Sequence, residues 1–159
     1  MVSVLLQSWL VVLVYSPTAP PEPPPEEVRV TVVAILATDR NDKIEMKCKC
    51  VAEEVQKLEP TLTGFRVART SSKDLKVGGR DTFALVDDEV VTVVVQQAGC
   101  KEERIRLMVK PPSVGEITYS TCCGKFFPII TRYQTKDKDK DRLIIAIRVE
   151  IVGKKEKEK

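Results

Sequence analysis

Val28 to Ala37 reads VRVTVVAILA, ten residues rich in β-branched side chains that end in an unbroken apolar run. A strand with one wet face alternates apolar and polar residues, and here the alternation fails after Thr31. Such a strand is covered on both faces, so the stretch predicts a central position in a sheet. Thr38-Asp39-Arg40-Asn41 then breaks the pattern.

Beyond that break the period changes to that of a helix, expected from about Lys43 to Leu58. Ile44, Cys48, Val51, Val55 and Leu58 fall on one stripe, with charged residues off it. Asp42 and Glu45 have the spacing of a capping box, and Pro60 prevents continuation. From Thr63 onward the period is two. Strands are expected at Phe65–Arg69, Asp74–Val77, Thr82–Val86, Val90–Gln97, Arg104–Lys110, Glu116–Thr121, Phe126–Thr135 and Arg142–Val152. Gly78-Gly79, Asp87-Asp88, Ala98-Gly99 and Cys123-Gly124 supply turns, the last joining two strands as a hairpin.

Together these imply an α+β fold: a mainly antiparallel β sandwich or barrel with one amphipathic helix packed on the sheet. The first strand, the helix and the next strand are compatible with a β-α-β unit. In organisation, residues 1–16 form a signal-like apolar segment, 17–27 a proline-rich spacer, 28–152 one β-rich domain and 153–159 a charged disordered tail.

Val2 to Tyr15, VSVLLQSWLVVLVY, would span about 21 Å as a helix, short of the roughly 30 Å hydrocarbon core. That length suits the apolar region of an export signal, with Ser16 to Ala19 as small residues near a cleavage point. No Lys or Arg precedes it, and Pro20 and Pro21 follow Ala19, which weigh against efficient processing. Pro17 to Glu27 contains six prolines and reads as an extended spacer. The expected location is exported (periplasmic, envelope or extracellular), with the cytoplasm as the alternative. Transient membrane contact through the N-terminus is the corresponding expectation.

Composition removes several classes of chemistry. The 159 residues include no histidine, which excludes Ser-His-Asp and Cys-His nucleophile activation and the His-containing zinc sites. Net charge is +3, and basic residues alternate with acids along the chain, so no nucleic-acid partner is expected. The chain offers no catalytic constellation, no cofactor motif and no metal site, and is read as a non-enzyme.

The cysteines are Cys48, Cys50, Cys100, Cys122 and Cys123. Cys48 and Cys50, two apart on a helix, diverge by about 200° and cannot share one ion; Cys48 belongs to the apolar stripe. Cys122 and Cys123 should face opposite sides of an extended strand, and one of them pairs plausibly with Cys100 in a disulfide. Convergence of Cys100, Cys122 and Cys123 would instead make a thiol-based metal or redox site. Lys136 to Arg142, KDKDKDR, opens like a calcium loop. Counted from Asp137, however, it places Arg142 and Arg148 where glycine and glutamate belong, so a solvated hairpin loop is expected. Phe127 and Tyr133 share one face of their strand. Phe126 lies on the other, as core or, if that face is open, as an interaction patch.

At GEITYSTCCGKFFPIITRYQTKD and RLIIAIRVEIV, with LTGFRV and LKVGGRDTFALVD, the chain resembles small exported planctomycete-type proteins of unknown function. The resemblance implies export and a β-rich fold, and no activity. The expected function is a non-enzymatic exported or cell-envelope interaction module with an unknown protein or envelope partner. The alternatives are the thiol-based protein and an assembly subunit that pairs through a β edge.

Overall fold

A computed structural model describes residues 27–98 and 104–152. The apolar segment, all but the last residue of the proline spacer, the charged tail and Cys100 lie outside the described residues. Eight strands and one helix follow in order: β1 Glu27–Thr38, α1 Lys49–Leu58, β2 Gly64–Lys76, β3 Arg80–Ala84, β4 Val90–Ala98, β5 Arg104–Lys110, β6 Ile117–Cys122, β7 Phe126–Gln134 and β8 Arg142–Ile151. They form two four-stranded antiparallel sheets, ordered β2-β1-β8-β7 and β3-β4-β5-β6. The fold is α+β, with a sandwich rather than a closed barrel and the helix on one sheet.

β1 sits between β2 and β8 as its sequence requires. Val28, Val30, Val32, Ala34 and Leu36 face the second sheet, and Val33, Ile35 and Ala37 face the helix layer. β8 divides in the same way: Leu143, Ile145, Ile147 and Val149 enter the inter-sheet core, while Ile144 and Ala146 meet the helix side. The second sheet contributes Val91, Val93, Val95, Ile105, Leu107 and Val109, all fully buried. Each such side chain contributes roughly 1.5–3 kcal/mol by leaving water. No helix among the described residues is long and apolar enough to cross a membrane.

The helix begins later than its periodicity suggests. Residues 43–45 are extended and lie parallel to the start of β2, where Phe65 N–H donates to the Lys43 carbonyl and Glu45 N–H to the Phe65 carbonyl. The Glu45 carboxylate accepts from Val67 N–H at 3.1 Å instead of closing a capping box. A sheet edge with bare donors competes for this segment and wins, because unmet backbone groups are costly. A short 3₁₀ turn at Met46–Cys48 then leads into α1. Cys48, Val51, Ala52 and Val55 are buried, whereas Ile44 and Leu58 at the ends of the expected stripe are exposed.

Three further expectations are corrected. β1 and β2 run antiparallel, so no β-α-β unit forms. Phe65–Arg69 and Asp74–Val77 are one strand, β2, with a bulge at Ala68 that keeps it in register with β1. Cys123-Gly124 does not close a hairpin: β6 belongs to one sheet and β7 to the other, so the turn carries the chain across the sandwich. Gly124 takes φ +80° there and donates to the Val149 carbonyl at 2.9 Å, a conformation few other residues adopt.

Candidate functional site

The loops that gather at one end of the sandwich hold the ion pairs of Arg40 and Arg66 with Asp139 and Asp141. They are the segment after β1, the first residues of β2, the β3–β4 turn and the β7–β8 loop. The β3–β4 turn is tight: Glu89 N–H donates to the Val86 carbonyl, and Leu85 N–H to the Glu89 carbonyl. Asp87 and Asp88 have φ of 50° and 66°, the backbone of a type I′ turn, for which Asp is among the better-tolerated residues.

The β7–β8 loop is KDKDKDR, and its three aspartates have three separate tasks. Asp137 accepts from the Thr135 hydroxyl and from Lys140 N–H, and the Thr135 bond holds its carboxyl below the usual range. Asp139 accepts from Arg40 Nη1 at 3.0 Å. Asp141 is buried, and its two oxygens accept from Arg40 Nη2 at 2.6 Å and Arg66 Nη2 at 3.0 Å. The loop is solvated over Lys136–Lys140, but Asp141 is a buried anchor rather than a solvated loop residue.

A second tie joins the two sheets at this end. Asp87 Oδ2 accepts from the Tyr133 hydroxyl at 3.2 Å and from Lys136 N–H at 2.8 Å. Burial, and then the bond to Asp87, push the Tyr133 phenol above its ordinary pKa. Between these ties lie two open clefts. The larger, of about 670 Å³, has Arg66, Val67, Ala68 and Arg69 on one wall and Ala84 to Val90 on the other. The smaller, of about 420 Å³, lies among Thr38, Arg40, Lys43, Glu45, Phe65 and Asp139. Arg69, Asp88 and Glu89 face the larger cleft with their charges uncommitted among the described residues. This arrangement can hold a ligand by charge and shape. Its carboxylates and guanidiniums supply no nucleophile with an adjacent base.

The cysteines and the aromatic residues singled out by sequence lie elsewhere. Cys122 is exposed at the end of β6, and Cys123 is half-buried against the inter-sheet core, the opposite orientations that alternation requires. No disulfide joins Cys48, Cys50, Cys122 and Cys123 to one another. Among the described residues no group of three Cys, Asp or Glu side chains is placed to hold a metal ion. Phe126 is half-buried against the helix-side core, with the Arg148 guanidinium 5.1 Å from its ring centroid. Phe127 stacks on Tyr119 across the two sheets at 4.0 Å. The Tyr119 hydroxyl is buried without a hydrogen-bond partner among the described residues, and burial raises its pKa.

Sequence reasoning identified the Asp87-Asp88 turn and the KDKDKDR loop without bringing them together, and it missed Arg40, Arg66 and Arg69. The available signal was charge at strand ends, which identifies a loop but not which loops meet. No family model, curated protein or solved structure matches this chain.

Proposed function

We propose that the chain is a non-enzymatic exported or cell-envelope interaction module, binding through the loop end of its sandwich. The larger cleft carries this reading. Its walls come from both sheets, they are fixed by Asp141 and Asp87, and they leave Arg69 opposite Asp88 and Glu89. Rigid strands presenting charged loops at one end suit recognition of a partner with both signs of charge. The histidine-free composition supports a binding role over catalysis, and the apolar Val2–Tyr15 with its proline spacer supports export.

Determining the N-terminal residue of the mature protein, together with cell fractionation, tests the location. A new terminus after Ala19 in an envelope or external fraction is expected, and an intact chain confined to the cytoplasm would sink the export half. For the binding half, Arg69→Glu with Asp88→Lys should abolish cross-linking to the native partner while the melting curve is retained. Unchanged cross-linking would reject the cleft.

A second reading, assembly through a β edge, has its own observation. Among the described residues the outer edge of β2 is paired only near Phe65–Val67, by residues 43–45, and no further strand pairs with the rest of this thirteen-residue edge strand. Molar mass that rises with concentration supports it, and a constant monomer mass at all concentrations excludes it.

A further inference from the structure

Among the described residues the outer face of the β3-β4-β5-β6 sheet is uncovered, whereas the other sheet carries the helix. Its outward positions include Arg80, Thr82 and Ala84 on β3, Val90, Thr92, Val94 and Gln97 on β4, Arg106, Met108 and Lys110 on β5, and Thr118, Ser120 and Cys122 on β6. No Asp or Glu occupies any of them. Along the chain the charges alternate in sign, but folding sorts them. Arg29, Arg142 and Arg148 of the first sheet pair with Asp74, Glu59 and Glu150. Arg80, Arg106 and Lys110 make no ion pair or side-chain hydrogen bond among the described residues. Arg104 extends the face opposite Cys122 but has a partner of its own.

The register fixes the spacing of these three cations. Arg80 aligns with Val94, and Val94 with Met108, midway between Arg106 and Lys110 on β5. Strand geometry puts Arg106 and Lys110 about 13 Å apart and Arg80 about 12 Å from each. The result is a triangle of charges around a half-buried aliphatic centre, Val94 and Met108. A single phosphate or carboxylate cannot touch all three. Both clefts lie at the end of the sandwich rather than on this face, and a protein partner's buried anchor residue is held in such a pocket. No aromatic side chain lies on the face to stack nucleic-acid bases.

We infer that this face rests on an anionic lipid surface, with Arg80, Arg106 and Lys110 over the headgroups. A sheet face with dispersed cations complements a surface with dispersed anions, and this identifies a partner class within the envelope reading proposed above. Three basic residues alone give weak, reversible attachment.

The test is sedimentation of the full chain with phosphatidylcholine vesicles and with vesicles in which about a third of the lipid is phosphatidylserine. Preference for the anionic vesicles is expected, lost at high salt. The triple variant R80E/R106E/K110E should weaken that binding by at least about a hundredfold, roughly fivefold for each basic residue lost. A matched variant on the helix side, K43E/K47E/K49E, should retain it, and melting curves establish that both variants fold. Equal binding to both vesicle types overturns the inference, as does equal loss in the two triple variants or tighter binding to a single-stranded oligonucleotide. The envelope reading stands or falls separately, on the N-terminal residue and fractionation.

Discussion

The Tyr133 hydroxyl donates to Asp87 Oδ2 at 3.2 Å, and this bond ties β7 of one sheet to the β3–β4 turn of the other. The same oxygen accepts from Lys136 N–H, so one carboxylate orders two loops. Asp87→Ala leaves both donors unmet and should cost about 1–2 kcal/mol of stability, read from urea unfolding. Asp87→Asn retains an acceptor and should cost less. Equal losses in the two variants would show that the turn backbone, rather than the acceptor, is at stake.

Alkaline conditions should expose the same contact. Folding raises the Tyr133 phenol pKa through burial first and the Asp87 bond second. Above the ordinary tyrosine pKa of about 10 the unfolded chain loses a proton that the folded chain keeps, so stability falls with rising pH. Below that pKa the contribution is fully present. Tyr133→Phe should flatten the fall in melting temperature above about pH 10 without removing it, because Tyr119 is raised in the same direction. An unchanged slope would reject the assignment.

Asp141 is the anchor of the loop end, with two guanidiniums on its two oxygens. Its side chain is only 6% exposed, while Arg40 and Arg66 are 45% and 50% exposed. Water can therefore take back the arginines but not reach the carboxylate. Asp141→Ala should cost about 2 kcal/mol, less than a fully buried pair would. Arg40→Ala should cost more than Arg66→Ala, because Arg40 also holds Asp139. Denaturant unfolding of the three variants checks the order.

Much of this architecture is legible in the sequence because β1 fails to alternate. VRVTVVAILA requires two covered faces, and the inter-sheet core and α1 are those covers. The opposite facing of Cys122 and Cys123, and the burial of Cys48, follow from local periodicity alone. Strand pairing is a different kind of information. Nothing near Gly124 shows that β6 and β7 belong to different sheets, because the partners that decide it, β5 and β8, are distant in sequence. The helix start failed for a similar reason: Glu45 has a local use as a cap and a non-local one at the β2 edge. The loop-end site was invisible because Arg40, Arg66 and Asp141 meet only after folding.

Close approach at Gly64 makes that residue hard to replace. A Cβ there would collide with the Asn41 side-chain oxygen, the Asn41 carbonyl and the Thr38 methyl. Asn41 is not free to move aside, since its side chain accepts from Lys43 N–H at 3.1 Å and its carbonyl from the Thr63 hydroxyl at 2.6 Å. Gly64→Ala should cost about 1–3 kcal/mol, and Asn41→Ala should recover part of that loss when combined with it. Additive losses in the double variant would place the strain elsewhere.

Thiol chemistry separates Cys48 from its neighbour two residues away. Cys48 is fully buried, and burial with a smaller push from Glu45 raises its thiol to about 11. The reactive thiolate is therefore scarce at neutral pH. Cys50 and Cys122 are exposed. Iodoacetamide applied to the reduced, folded protein near neutral pH should modify Cys50 and Cys122 first and Cys48 only after denaturant is added. Peptide mass mapping reads the order. A raised folded pKa also means that stability from this site is present below the ordinary thiol pKa of about 8.5 and is lost as pH rises toward 11. Cys48→Ala keeps the site apolar and should remove that loss at the cost of about 1 kcal/mol of packing. Early labelling of Cys48 would mean that α1 opens readily from the sheet.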